Sequence, residues 1–265
     1  MTFLVPIGPF LMKRWLLVLT LFVPGVVPGQ EIKIAAASDL TAALTDLANE
    51  YKKATGKGTK LSFGSSGNFF AQIENGAPFD LFFSADIAYP QKLEADGLIE
   101  PGSLYEYAVG RLVLLVPRDS EIDVNKGLQV LSSPAVRKIS IANPQHAPYG
   151  RAAVAALQYE KLYDAVRDKL VFGENISQAA QFVQSHNADA GLIALSLALS
   201  MQVKNSGKYW LVPADFHPPL RQAVVILKSS VQEADAKQFL DFVRTEQGRA
   251  IMERYGFEVP EVRKK

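Results

Sequence analysis

Ser38 and Ser66 each stand where an apolar run closes on small hydroxyl residues and a helical pattern begins, in AAASDL (residues 35–40) and FGSSGN (residues 63–68). At such a junction the first backbone N–H groups of the helix have no internal acceptor, the helix dipole is positive, and a serine hydroxyl adds a donor. The chemistry on offer is the holding of an anion. Two later segments have the same character: Asn143-Pro-Gln-His-Ala-Pro-Tyr149-Gly150 and Gly173-Glu-Asn175-Ile176-Ser177. Taken singly, each is an ordinary cap. Taken together, four helix starts could face one cleft.

The elements that would position them alternate. Residues 32–36 read as a strand, and Leu40, Ala43, Leu44, Leu47, Ala48 and Tyr51 recur at helical spacing until Gly56. Residues 60–63 are the next strand, 68–74 a short helix ending at Asn75-Gly76, and 80–84 a third strand, apolar at its centre. Strands then fall at 112–116, 138–142, 170–172, 191–195 and 223–227, with helices at 150–159 and 177–185. The longest helical pattern runs over 233–255, interrupted near Gly248. Two α/β units with parallel sheets follow from this alternation. In such sheets ligands bind beyond the carboxyl ends of the strands, where helix N-termini gather.

The first 29 residues read as an address. Lys13 and Arg14 precede an apolar run from Trp15 to Val23, then Pro24 and small residues up to Gly29, the order of a secretory signal peptide. Translation would start at Met12, with cleavage near Gly29 or Gln30; a retained membrane anchor is the alternative. The 265-residue chain has 28 basic and 27 acidic residues, a formal charge of +1 and no cysteine. Disulfides, thiolate metal sites and thiol catalysis are thereby excluded, and no basic run offers a nucleic-acid footprint. Residues 262–265 read as a frayed tail.

Catalysis finds little support. There is no G-x-S-x-G elbow, and His146, His186 and His217 are not linked by any motif to a serine and an acid. Tyr105 and Tyr107 are a pair that a metal site could use, but they read as packing beside a crossover, away from the helix starts.

AAASDL, FGSSGN with the following QIENGAPFDLFFSAD, NPQHAPYGRAA, GENISQA and the closing ERYGF resemble, in this order, the periplasmic molybdate-binding proteins of ABC uptake systems, the ModA family. The resemblance covers nearly all of the chain after the leader. It implies a type II periplasmic binding protein fold: two doubly wound α/β lobes joined by two crossovers, with a ligand cleft between them. Residues 30–109 and 221–265 would form lobe 1 and residues 110–220 lobe 2, hinged near Gly110-Arg111 and residues 218–221. The family's ligand contacts, carried onto this chain, are the hydroxyl and amide of Ser38, the hydroxyl and amide of Ser66, and the N–H groups of Tyr149 and Ile176.

One family position departs. Some members place a tyrosine hydroxyl on the anion where this chain has Ala194, which has no side-chain donor. Either the Tyr149 ring or hydroxyl supplies part of that contact, or Tyr149 is a lip over the cleft. Asp39 either caps its helix with the carboxylate turned away or reaches the ligand, where it would favour an anion carrying its own proton. Arg151, in the first turn after Tyr149-Gly150, is the nearest basic candidate and reads as a surface arginine. The function the resemblance implies is high-affinity binding of molybdate and tungstate in the periplasm by a monomer, and their delivery to ABC permease membrane subunits. It brings no enzyme activity, no cofactor, no nucleic-acid partner and no metal beyond that of the oxyanion. Sulfate or phosphate is the competing ligand.

Overall fold

The computed structural model describes residues 1, 2, 31–200, 205 and 207–260. Apart from residues 1 and 2, the leader read at residues 1–29 lies outside the described residues, as do the start at Met12 and the tail at 262–265. The strands are β1 (Ile32–Ala37), β2 (Thr59–Gly64), β3 (Leu81–Ser84), β4 (Tyr105–Gly110), β5 (Leu112–Pro117), β6 (Ile139–Ala142), β7 (Leu170–Gly173), β8 (Ala190–Ala194), β9 (Gly207–Leu211) and β10 (Leu220–Ile226). They form two five-stranded sheets, ordered β2-β1-β3-β10-β4 and β7-β6-β8-β5-β9.

The two sheets repeat one plan. In the first, β1 pairs in parallel with β2 and β3, whereas β10 runs antiparallel to β3 and β4. In the second, β6 pairs in parallel with β7 and β8, whereas β5 runs antiparallel to β8 and β9. The sheets are therefore mixed, a correction to the parallel sheets read from the sequence. The cause is topological: β5 and β10 each enter their sheet directly from the other lobe rather than over a crossover helix. The two crossings lie side by side, where Leu220 at the start of β10 pairs with Gly110 at the end of β4.

The helices follow as α1 (Thr41–Thr55), α2 (Ser66–Glu74), α3 (Ala88–Ala95), α4 (Pro148–Tyr159), α5 (Tyr163–Val166), α6 (Ile176–Gln184), α7 (Leu195–Ala198), α8 (Glu233–Arg244) and α9 (Glu246–Arg254). Gly56 stops α1 in the left-handed conformation, with φ of 75°. The closing helical pattern breaks at Thr245 and not at Gly248: Thr245 is extended, and its Oγ1 accepts from the Gly248 N–H at 3.1 Å to start a new helix.

Strand alternation sorts the core of the first sheet. Phe83 faces Leu44, Tyr51 and Phe239 on one side, while its neighbour Phe82 faces Phe69, Ile99 and Val225 on the other. Each such buried phenylalanine contributes about 1.5–3 kcal/mol. The second sheet is wrapped by one continuous core that includes Leu114, Ile141, Leu157 and Ile193. These cores hold the strand ends still, and the site is built on those ends.

Candidate functional site

β1 and β2 are adjacent parallel strands, so their carboxyl ends lie side by side. After Ala37 the chain makes a 3₁₀ turn at Ser38–Leu40 and runs into α1. After Gly64, Ser65 caps α2 by accepting from the Asn68 N–H at 3.3 Å, which leaves Ser66 as the first residue of the helix. The other sheet repeats this arrangement from β6 and β7. α4 starts at Pro148, which has no N–H, so Tyr149 supplies its first donor. Asn175 caps α6 by accepting from the Gln178 N–H at 3.1 Å, and Ile176 is the first helical residue. The Ser66, Tyr149 and Ile176 N–H groups are thus first-turn donors without an acceptor in their own helices.

Ser38, Ser66, Tyr149 and Ile176 all line one cavity, together with Asp39, Ser65 and Ala85 among others, around a space of about 10 Å³, enough for the centre of about one water molecule. That is far below the roughly 300–1,000 Å³ of pockets for drug-sized molecules. Only a small guest suits it, and the walls must give slightly to take one. Among the described residues no lysine or arginine lines it. The Ser66 hydroxyl oxygen accepts from the Ala85 N–H at 3.0 Å, which leaves its own hydrogen to donate. Ala194 is not among the lining residues: it is fully buried at the end of β8, paired with Leu112, and adds no contact.

The two lobes are shut on each other. Ser38 Oγ donates to Asn175 Oδ1 at 3.1 Å and accepts from the Ser177 N–H at 3.3 Å, while the Ser177 hydroxyl donates to the Ser38 carbonyl at 2.9 Å. The Gly67 N–H donates to the His146 carbonyl at 2.9 Å. At the edge, Asn68 Nδ2 donates to Glu174 Oε1 at 2.6 Å. Arg151 is not an isolated surface residue: it pairs with Asp86 across the cleft at 2.6 Å and reaches the Tyr89 hydroxyl at 3.3 Å. Asn175, Ser177 and His146 therefore act across the cleft, a role that needs the partner lobe to become visible.

Beneath the cavity lies a buried polar cluster. Gln222 Nε2 donates to Asp39 Oδ2 at 2.6 Å and lies 3.2 Å from the Tyr149 hydroxyl, while Gln222 Oε1 accepts from the Tyr107 hydroxyl at 2.7 Å. Burial pushes the Asp39 carboxyl up to about 6, with the Gln222 amide and the Tyr149 hydroxyl pulling in the opposite direction. Burial raises Tyr107 and Tyr149 well above the usual phenol value, and the charge of Asp39 adds to it. Asp39 does not turn outward to cap its helix; its carboxyl is held inward on β10. Tyr149 is 2% exposed, so it is no lip, and its hydroxyl is engaged by this cluster. Tyr107 does not line the cavity but is more than packing, since its hydroxyl donates to Gln222. Gln222 went unread although a signal existed: a glutamine at the head of the apolar run QAVVI must find partners if buried.

Two α/β lobes closed on a small cavity walled by helix starts define a hinged solute-binding protein of the type II periplasmic kind. The chain belongs to the family of bacterial extracellular solute-binding proteins, whose family model matches residues 32–258. It is 40% identical over 227 residues to the molybdate-binding protein ModA of Azotobacter vinelandii, covering 86% of this chain and 89% of that protein. It is 37% identical to ModA of Rhodobacter capsulatus, covering 86% and 88%. The solved periplasmic molybdate-binding protein of A. vinelandii superimposes with a TM-score of 0.83 at 37% identity, over 87% of this chain and all of that one. The family is one of binding proteins, not enzymes.

Proposed function

We propose that this protein binds molybdate and tungstate in the periplasm and hands them to the membrane subunits of an ABC permease. The observation that carries this reading is the meeting of the Ser38, Ser66, Tyr149 and Ile176 helix starts at one small cavity without a basic side chain. The Ser66 hydroxyl and the first-turn N–H groups only donate toward a guest, as a fully deprotonated tetrahedral dianion requires, while the Ser38 hydroxyl hydrogen is held by Asn175. Each charge-assisted bond contributes about 1.5–3 kcal/mol net, so distributed dipoles suffice without a counter-ion. The relatives named for molybdate support the choice among oxyanions.

In this reading residues 30–109 and 221–265 move as one lobe and 110–220 as the other, after removal of a leader at 1–29. The anion bridges the lobes and stabilises the closed form, which a permease reads. The protein acts as a monomer. Isothermal titration of the protein from about residue 30 onward, stripped of ligand, tests the reading. Molybdate and tungstate should bind tightly, sulfate and phosphate weakly or not at all. Sulfate or phosphate as the tight ligand would reassign the cargo.

A further inference from the structure

Among the residues lining the cavity, Asp39 carries the single carboxyl group. It is 1% exposed, and its Oδ1 has no hydrogen-bond partner among the described residues. No described side chain bonded to it carries a positive charge, and Arg221 of β10 is paired with Glu106. β4 contributes Tyr107, α4 contributes Tyr149, and β10 contributes Gln222. α7 contributes Ser196, whose hydroxyl donates to the Asp39 carbonyl at 2.7 Å. Of these only the two tyrosines titrate, and both are held well above the usual phenol value, so they stay neutral. Arg151, the first-turn arginine of α4, is occupied by Asp86 and Tyr89. A dianion entering the cavity would therefore meet a buried carboxylate with no nearby cation. Like charges in a dry site disfavour the ionised form, and a proton on the carboxyl is the simplest relief.

We propose that Asp39 takes up one proton when the oxyanion enters the cavity, so that anion binding and protonation of this carboxyl are a single coupled event. The inference rests on the oxyanion reading given above. The proton comes from solvent and buffer, it ends on the Asp39 carboxylate, and the anion is unchanged. Burial already pushes this carboxyl up to about 6, so the anion has only to move an equilibrium that is within reach.

Two consequences follow from the coupling. Affinity falls as pH rises where the free protein has Asp39 ionised, by up to about tenfold per pH unit for one proton. Selectivity changes as well. An ionised carboxylate on the cavity wall would reward a guest with its own proton, such as hydrogen phosphate. A protonated carboxyl removes that acceptor and adds a donor, which suits a fully deprotonated anion.

The test is titration with sodium molybdate at about pH 6.5, 7.5 and 8.5, each in two buffers of different ionisation heat, for the natural protein and Asp39→Asn. The natural protein should take up close to one proton per anion at the upper pH, with Kd weakening toward tenfold per unit. Asp39→Asn, neutral at every pH, should show no proton uptake, a flat profile and at least about tenfold tighter binding than the natural protein at the highest pH. Infrared difference spectra of the natural protein on adding molybdate give an independent reading: a carboxyl C=O band should appear as a carboxylate band is lost. Molybdate binding without proton uptake or that band overturns the coupling, as does an Asp39→Asn variant that keeps the natural slope. Failure of the natural protein to bind molybdate at any of these pH values overturns the oxyanion reading instead.

Discussion

The backbone N–H of Gly67 donates to the carbonyl of His146 at 2.9 Å, a main-chain hydrogen bond that ties the start of α2 in one lobe to the loop before α4 in the other. The approach depends on a bare Cα. A Cβ on Gly67 would lie 2.7 Å from the His146 oxygen and 2.8 Å from the Tyr89 hydroxyl. His146 adds a second tie, its Nδ1 lying 2.9 Å from Ser65 Oγ. The lobes can meet at this point only over a glycine.

Gly67→Ala should therefore obstruct closure at little cost to its own lobe, where only the end of the Tyr89 side chain must give way. Gly67 is not among the glycines with positive φ, so alanine suits its helical backbone when the lobes are apart. Ligand affinity should drop by about tenfold or more, equivalent to about 1.4 kcal/mol or more. Thermal melting of the ligand-free variant should match the natural protein. Titration calorimetry beside a melting curve separates the two, and undiminished affinity would show that closure does not need this contact.

Ser65 and Ser66 are neighbours with different duties, and paired alanine variants should separate them. Ser65 Oγ caps α2 and touches His146, so Ser65→Ala should cost mainly stability, about 0.5–2 kcal/mol. Ser66 Oγ is anchored by the Ala85 N–H and has its hydrogen free for a guest, so Ser66→Ala should weaken anion binding by about 10- to 100-fold. Equal binding by both variants would remove Ser66 from the site.

Arg151 and Asp86 close the rim from opposite lobes at 2.6 Å, with both side chains partly exposed. A pair so placed contributes little, about 0.2–1 kcal/mol, and it forms only when the cleft shuts. Arg151→Ala should speed molybdate release by about two- to fivefold and leave association nearly unchanged. Stopped-flow measurement of both rates checks this. High salt should reproduce part of the effect in the natural protein and none in the variant.

Much of the fold was legible because strands such as β3 and β5 are continuous apolar runs bounded by turn signals. β9 was missed for the opposite reason: GKYWL has no buried residue and carries no such run. The reversed direction of β5 and β10 could not be read, since direction is set by which lobe the chain arrives from. The four helix starts were legible because capping chemistry is local in sequence, whereas Tyr149 and Ile176 were singled out within them by the family resemblance. The cluster of Asp39, Tyr107, Tyr149 and Gln222 was not, because it joins four separate segments, with Gln222 183 residues from Asp39.

The same cluster sets a pH dependence of folding. Asp39 titrates at about 6 in the folded protein against 3.8 for an ordinary aspartate, a folded-state value raised above the unfolded one. Such a group favours folding while the carboxyl is protonated, and that contribution is lost as pH rises from about 4 through about 6. Above that window the natural protein keeps a buried charge, or its proton-uptake cost, that Asp39→Asn lacks. The shift corresponds to about 3 kcal/mol, so Asp39→Asn should be more stable by about that order at neutral pH. The advantage should fade as pH falls toward about 4, where the natural carboxyl is neutral in both states. Gln222 bounds the gain, because its Nε2 donates to Oδ2 and an asparagine must present its oxygen there. Gln222→Leu removes that donor and should push the carboxyl higher still, moving the loss of stability to higher pH. Urea denaturation at a series of pH values, in the absence of oxyanion, would show this; parallel curves for Asp39→Asn and the natural protein would mean that the carboxyl is solvated when the cleft is unliganded.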